Sequence, residues 1–164
     1  IVKDSTGSFN IANGSGYLFG YGVPAAPLST NTTGSYNVAN GSGALADNTT
    51  GSYNIANGTY ALQDNTTGNN NIASGYQALF SNTIGNNNIA LGTGSLGSRN
   101  SSYNIAIGYQ SGYNVWVRSN GNTMLGYKSA YNLFKDSSNN TILGYQSGYN
   151  LDKGNANIAI GQNV

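Results

Sequence analysis

The sequence predicts an all-β fold, a parallel β-solenoid of about nine coils of about 17 residues each. Three observations predict it: one five-residue unit recurs along the whole chain, its copies are evenly spaced, and the residues inside it suit a short strand ending in a turn. Asn opens the unit at positions 10, 37, 54, 71, 88, 104, 122, 140 and 157, and Gly closes it four residues later at Gly14, Gly41, Gly58, Gly75, Gly92, Gly108, Gly126, Gly144 and Gly161. Successive spacings are 27, 17, 17, 17, 16, 18, 18 and 17 residues. That period is too short for helix-pair repeats and fits coils that stack like a β-helix. At ~4.8 Å per coil the array makes a rod about 40 Å long.

Within the unit, the residue after Asn is Ile, Val or Thr in every copy, a β-branched choice that suits a pleated strand. The next residue is Ala except at Met124 and Ile142. The third is Asn13, Asn40, Asn57 and Ser74 in the early copies, then Leu91, Ile107, Leu125, Leu143 and Ile160. Alternation puts the first and third positions on one face and Ala on the other. The apolar face is therefore expected to be the core or interface strand, carried by Ile55, Ile72, Ile89, Ile105, Ile107, Leu125, Leu143, Ile158 and Ile160. Two readings of the small Ala stay open: it lets three backbones approach an axis, or it is merely a small outward residue. The early asparagines at the third position are expected to pass amide hydrogen bonds from coil to coil. The closing Gly reads as a position that needs positive φ or close backbone approach.

Connectors from Asn31 to Gly85 read N-T-T-G or N-T-I-G, polar turns whose side chains bond their own backbone. After the Gly, a second apolar stretch recurs as A-L and later as Y-Q-S-G-Y, a candidate second strand in each coil. The long interval after Gly14 holds both prolines. An insertion at about residues 17–27, with Tyr17, Phe19, Tyr21, Pro24 and Pro27, is expected to leave the stack as a loop, because proline donates no ladder hydrogen bond. Its aromatic residues make it a candidate recognition loop, although insertions on solenoids are also tolerated without a role. Residues 1–164 read as a single array. Lys3–Asn10 parallels Asp47–Asn54, so the chain starts within a coil, and it is expected to be an excerpt of a longer fibre or a subunit that others continue.

Composition narrows the function. Only 38% of residues are hydrophobic and 7% charged, too few for a compact globule, while 13 Tyr and an unbroken period argue against disorder. The net charge is +1 and the basic residues are scattered, so no nucleic-acid footprint is expected. No apolar run approaches a membrane span, and no membrane contact is expected of this segment. The chain has no Cys and no His. Without clustered carboxylates either, nothing assembles a nucleophile, a base and an orienting group, and no enzyme activity, cofactor or metal site is expected.

The units N-I-A-I-G-Y-Q-S-G-Y-N (Asn104–Asn114), N-I-A-S-G-Y-Q-A-L (Asn71–Leu79) and G-N-N-N-I-A-L-G (Gly85–Gly92) resemble the head repeats of YadA-like trimeric autotransporter adhesins. Similar repeats occur in fibre proteins of predatory bacteria and phages. The resemblance covers nearly the whole chain. It implies a left-handed parallel β-roll, a side-by-side homotrimer, and an extracellular place on a cell or virion surface, with a host or prey surface or a matrix component as ligand. The coils here are longer than in the adhesin heads, and Asn replaces the usual aliphatic at the third strand position of early copies. Physics favours association independently: a thin coil leaves a sheet face bare, and cyclic symmetry closes the contact. A single-chain β-solenoid acting as a filament subunit is the alternative.

Other signals weigh less. G-T-G-S-L-G at Gly92–Gly97 matches a dinucleotide fingerprint, but no helix pattern follows it. Asp47 and Asp64 recur one coil apart, with too few oxygens around them for calcium. Thr32, Thr49, Thr66 and Thr83 form a row that an ice-binding face would use, although threonine also suits turns. Glycosylation sequons at Asn48 and Asn65 are expected by chance in so Asn-rich a chain.

Overall fold

The computed structural model describes residues 6–15, 26–97, 100–133, 136–151 and 154–164. Each repeat unit forms one three-residue strand: β1 (Ile11–Asn13), β2 (Val38–Asn40), β3 (Ile55–Asn57), β4 (Ile72–Ser74), β5 (Ile89–Leu91), β6 (Ile105–Ile107), β8 (Thr123–Leu125), β10 (Thr141–Leu143) and β12 (Ile158–Ile160). They form one nine-stranded parallel sheet in the order β1-β2-β3-β4-β5-β6-β8-β10-β12. Pairing keeps equivalent residues together, as in Ile55 with Ile72 and Ala56 with Ala73. Each repeated residue therefore becomes a column along the solenoid. A second parallel sheet joins β7 (Asn114–Val115), β9 (Asn132–Leu133) and β11 (Asn150–Leu151). It follows the Y-x-S-x-Y stretch. The earlier A-L stretches are turns, with Leu45, Leu62 and Leu79 at φ of 50° to 53°.

The strand alternates as expected, but its faces are the other way round. Ala39, Ala56, Ala73, Ala90 and Ala106 are fully buried inside the coil, and so are Met124 and Ile142. The first and third positions point outward, so Ile55, Ile72, Ile89, Ile105, Ile107, Leu125, Leu143, Ile158 and Ile160 are exposed or half-buried and form no core of this chain. Alternation alone does not say which face is inside; the width of the interior does. Leu45, Leu62, Leu79 and Leu96 reach into it from the turn opposite, one column of asparagine enters just before the strand, and a second enters from the N-T-T-G turn. What remains beside the strand accommodates a methyl group, which excludes both readings of Ala as an outward residue.

The buried asparagines carry the polar half of the interior. Asn54 donates its backbone N–H to Asn37 Oδ1 (3.0 Å) and its Nδ2 to Gly68 O (2.8 Å), and Asn71 and Asn88 repeat the pattern. A second column, Asn31, Asn48, Asn65 and Asn82, passes Nδ2 to Oδ1 bonds of 2.8–2.9 Å along the stack. Asn65 Nδ2 also reaches Gly68 O, so that one carbonyl serves both columns. In the repeated motif N-T-T-G-x-x-N the first Asn thus holds the Gly carbonyl of its own turn, while the last reaches forward to the Gly carbonyl of the next coil, as Asn71 does to Gly85 O (2.8 Å). Full satisfaction is what allows amides inside so narrow a core. At the third strand position, where an asparagine ladder was expected, Asn40 Nδ2 donates to Asn57 Oδ1 (2.8 Å) on the outer face.

Toward the C terminus three inner columns change together. The inward asparagine of the turn gives way to Val115 and Leu133, the turn leucine to Gly112, Ala130 and Gly148, and the strand alanine to Met124 and Ile142. Each change compensates another. A Cβ on Gly112 would lie 2.9 Å from both Met124 Sδ and Met124 Cε, and one on Gly148 would lie 3.0 Å from Ile142 Cγ2.

All nine repeat glycines have φ between 122° and 153°. At Gly75 (φ 135°) a Cβ would also stand 2.6 Å from the carbonyl carbon and oxygen of Gly92, the equivalent residue one coil on. Positive φ and close approach therefore act at the same residue.

Candidate interaction surfaces

The outer face of the nine-stranded sheet presents two columns, from the first and third strand positions, two residues apart in sequence. Ile55, Ile72 and Ile107 keep 36%, 37% and 39% of their surface exposed, and Ile158 and Ile160 keep 75% and 66%. Ile89, Leu91, Ile105, Leu125 and Leu143 are half-buried between their neighbours. In the early coils the third-position column is polar, so from Ile89 onward the strip is apolar in both columns except at Thr123 and Thr141. The repetition that stacks the coils also makes this strip continuous. Contiguous exposed apolar surface on a soluble chain marks a contact site.

Aromatic ladders flank it. Phe9, Tyr36 and Tyr53, each just before a unit's Asn, stack with ring centroids 5.0 and 4.9 Å apart. Beyond the repeat glycine, Tyr109, Tyr127 and Tyr145 stack at 5.4 and 5.1 Å. A third ladder, Tyr113, Tyr131 and Tyr149, stacks at 5.2 and 4.9 Å. Lys128 lies between the last two, its Nζ 5.5 Å from the Tyr127 ring centre and 5.3 Å from that of Tyr131. Burial pushes the Tyr131 hydroxyl above its ordinary pKa, with Tyr149 and Tyr113 adding to the shift and Lys128 opposing it. For Lys128 burial acts downward, but the surrounding tyrosine hydroxyls outweigh it and the ammonium sits above its usual value. At neutral pH Tyr131 is therefore phenolic and Lys128 charged. Local sequence pattern does not show these ladders, but the fixed distance of each Tyr from its repeat glycine does.

Several sequence-level candidates resolve. Tyr17, Phe19, Tyr21 and Pro24 lie outside the described residues. Pro27 is buried next to Leu28, the first residue of the inner leucine column, and does not protrude. Its equivalent, Ala44, uses its N–H within its own turn, on Gly41 O, so proline there costs no bond between coils. The hydroxyls of Thr32, Thr49 and Thr66 donate to the carbonyl of the next coil's Thr at 2.8, 3.0 and 3.0 Å. Those donors are engaged in the stack and do not form a free ice-matching array. Asn48 and Asn65 are buried with their amides bonded, which removes them as glycosylation acceptors. Gly92–Gly97 is the repeat glycine and the turn after it, and no helix follows among the described residues. Among the described residues no three His, Cys, Asp or Glu gather as metal ligands, and no helix is long and apolar enough to cross a membrane.

One repeated strand-and-glycine unit, stacked in register into parallel sheets around a filled interior, defines the chain as a β-solenoid repeat protein. No protein-family model, curated protein or solved structure matches it.

Proposed function

We propose that this chain is a non-catalytic structural and adhesive segment of an extracellular fibre on a cell or virion surface. In this reading three copies lie side by side as left-handed rolls, with the outer faces of their nine-stranded sheets turned toward a shared axis. The aliphatic strip from Ile89 to Ile160 is the observation that carries the reading. Covering apolar surface contributes about 25 cal/mol per Å², and a strip that runs straight along a rod is self-complementary under rotation about a parallel axis. Residues away from the axis, the tyrosine ladders among them, would face a host or prey surface or a matrix component.

Light-scattering mass tests the assembly. A mass three times that of the chain is expected. Ile105→Asp should keep the circular dichroism of the fold, because the side chain points out of the coil, while reducing the mass to that of one chain. A wild-type mass of one chain would refute the trimer and favour a solenoid that acts singly or end to end.

A further inference from the structure

The ladder that ends at Tyr149 lacks a rung below Tyr113. Phe80, Gly97 and Tyr113 hold the same register in three successive coils, since Leu79 N–H donates to Ser95 O and Gly97 N–H to Gly112 O. Gly97 supplies no ring at that level. Gly94, in the same coil, supplies no side chain where Gln77 and Gln110 stand one coil to either side. Together the two glycines open a notch of about 320 Å³ between Phe80 and Tyr113, rimmed by Gln77, Ser81 and Asn114.

Its dimensions select a flat ring. Two coil steps separate Phe80 from Tyr113, about 10 Å at ~4.8 Å per step, and rings one step apart higher in this column sit 5.2 and 4.9 Å from each other. At that backbone spacing there is room for one ring between the two levels, with Phe80 itself set edge-on to Tyr60 at 80°. Tyr131 covers one face of Tyr113 at an interplanar angle of 10°, and the opposite side of Tyr113 borders the notch. Among the described residues the rim is polar and uncharged. Asn114 donates Nδ2 to Asn132 Oδ1 (2.7 Å), which leaves its own Oδ1 without a donor among the described residues. The side chains of Gln77 and Ser81 make no hydrogen bond to the described residues. An aromatic lining with a few convergent amides and hydroxyls is the pattern of a small-molecule site.

We infer that this notch is a binding subsite for a neutral pyranose of a surface glycan. The axial C–H groups of the sugar stack on the flanking aromatic rings, and its hydroxyls meet Gln77, Ser81 and Asn114 at the edge. A phenyl side chain from a partner protein would fill the gap but answer none of those three polar groups, and a tyrosine or tryptophan would offer them a single polar group where a pyranose offers several hydroxyls. The notch is built by one chain, so it does not depend on the trimer; it rests on the adhesive reading only for its biological setting.

The test titrates the chain with maltohexaose, cellohexaose and chitohexaose to millimolar concentration, read by saturation-transfer NMR, with light-scattering mass on the same sample reporting assembly separately. At least one sugar is expected to bind, and Gly94→Gln to weaken it by about tenfold or more. That variant is well placed to fold. Gln77 and Gln110 adopt φ of 54° and 50° at the equivalent position, and Gly94 is already at 62°. Its Cβ would lie 3.3 Å from the Tyr113 ring, filling the notch. Tyr113→Leu, which keeps bulk and removes the ring, is the second variant and should weaken binding similarly. The inference is overturned if none of the three sugars binds, if binding survives both substitutions in folded protein, or if N-acetyltyrosine amide binds in their place.

Discussion

Exchanging the core type of a single coil probes the packing most directly. Met124 is fully buried and lies against Gly112, whose Cβ would come within 2.9 Å of the thioether and 3.1 Å of Val115 Cγ2. Met124→Ala removes the filling side chain and should cost about 2–5 kcal/mol. At roughly 2–4 °C per kcal/mol for a chain of this size, the melting temperature should fall by about 4–20 °C. Gly112→Leu alone overpacks the site and should cost about 1–3 kcal/mol. Strain in φ is not the main term there, since Gly112 is at 61° while Leu79 and Leu96 adopt 53° and 51° natively. The double variant rebuilds the Ala-plus-Leu arrangement of the earlier coils. It should be more stable than the sum of the single effects by about 1–3 kcal/mol. Urea denaturation followed by circular dichroism measures all three, with hydrogen exchange on the Met124 peptide confirming that the loss is local. Additivity within error would refute the compensation.

Three further outcomes follow from the stack. Gly75→Val should cost at least about 1–3 kcal/mol from the positive φ alone, and more because its Cβ meets the Gly92 backbone; an unchanged melting temperature would remove both arguments. Asn71→Asp replaces Nδ2, which donates to Gly85 O at 2.8 Å and Asn54 Oδ1 at 3.2 Å, with an oxygen facing two acceptors. Ionisation is opposed there, so the folded pKa of the introduced carboxyl lies above its unfolded value of about 3.9. The variant should be most stable below that pH and lose stability as pH rises through the folded pKa; denaturation midpoints that rise with pH would contradict the buried amide column. Hydrogen exchange should be slower near Asn140 than near Asn54, because β7, β9 and β11 add a second hydrogen-bonded sheet to the later coils; the reverse order would show that the paired asparagine columns outweigh it.

The coil period, the parallel stacking and the special backbone of the closing glycine were legible because each repeats with the unit. The side of the strand that faces inward was not. Ile and Ala alternate whichever way the strand is turned, and the deciding information lay in residues read as turn formers: Asn48 and Asn65 in N-T-T-G, and Leu62 and Leu79 in A-L. These side chains occupy the interior first and leave it room only for Ala73 and its equivalents. The expected amide bond between Asn40 and Asn57 is present on the outer face, but the longer buried runs, through the Asn that opens each unit and through Asn31, Asn48, Asn65 and Asn82, were not anticipated. The notch at Gly94 and Gly97 was least visible, because it consists of side chains that two columns omit.

The three inner columns change identity within a few residues of one another, so the chain contains two coil dialects, and only the last coil combines them, with Ala159 at its strand beside Gly148 and Leu151. A duplicated or deleted coil would remain compatible with its neighbours only if it left in whole units and within its own dialect: Asn, Leu and Ala in the first part, aliphatic, small and large in the second. Length can then vary freely inside either part while the passage between them, from about Gly92 to Val115, stays single. An array grown in this way would carry one such junction however long it became. The gap between Phe80 and Tyr113 lies at that junction, so a lengthened array would gain surface without gaining copies of its notch.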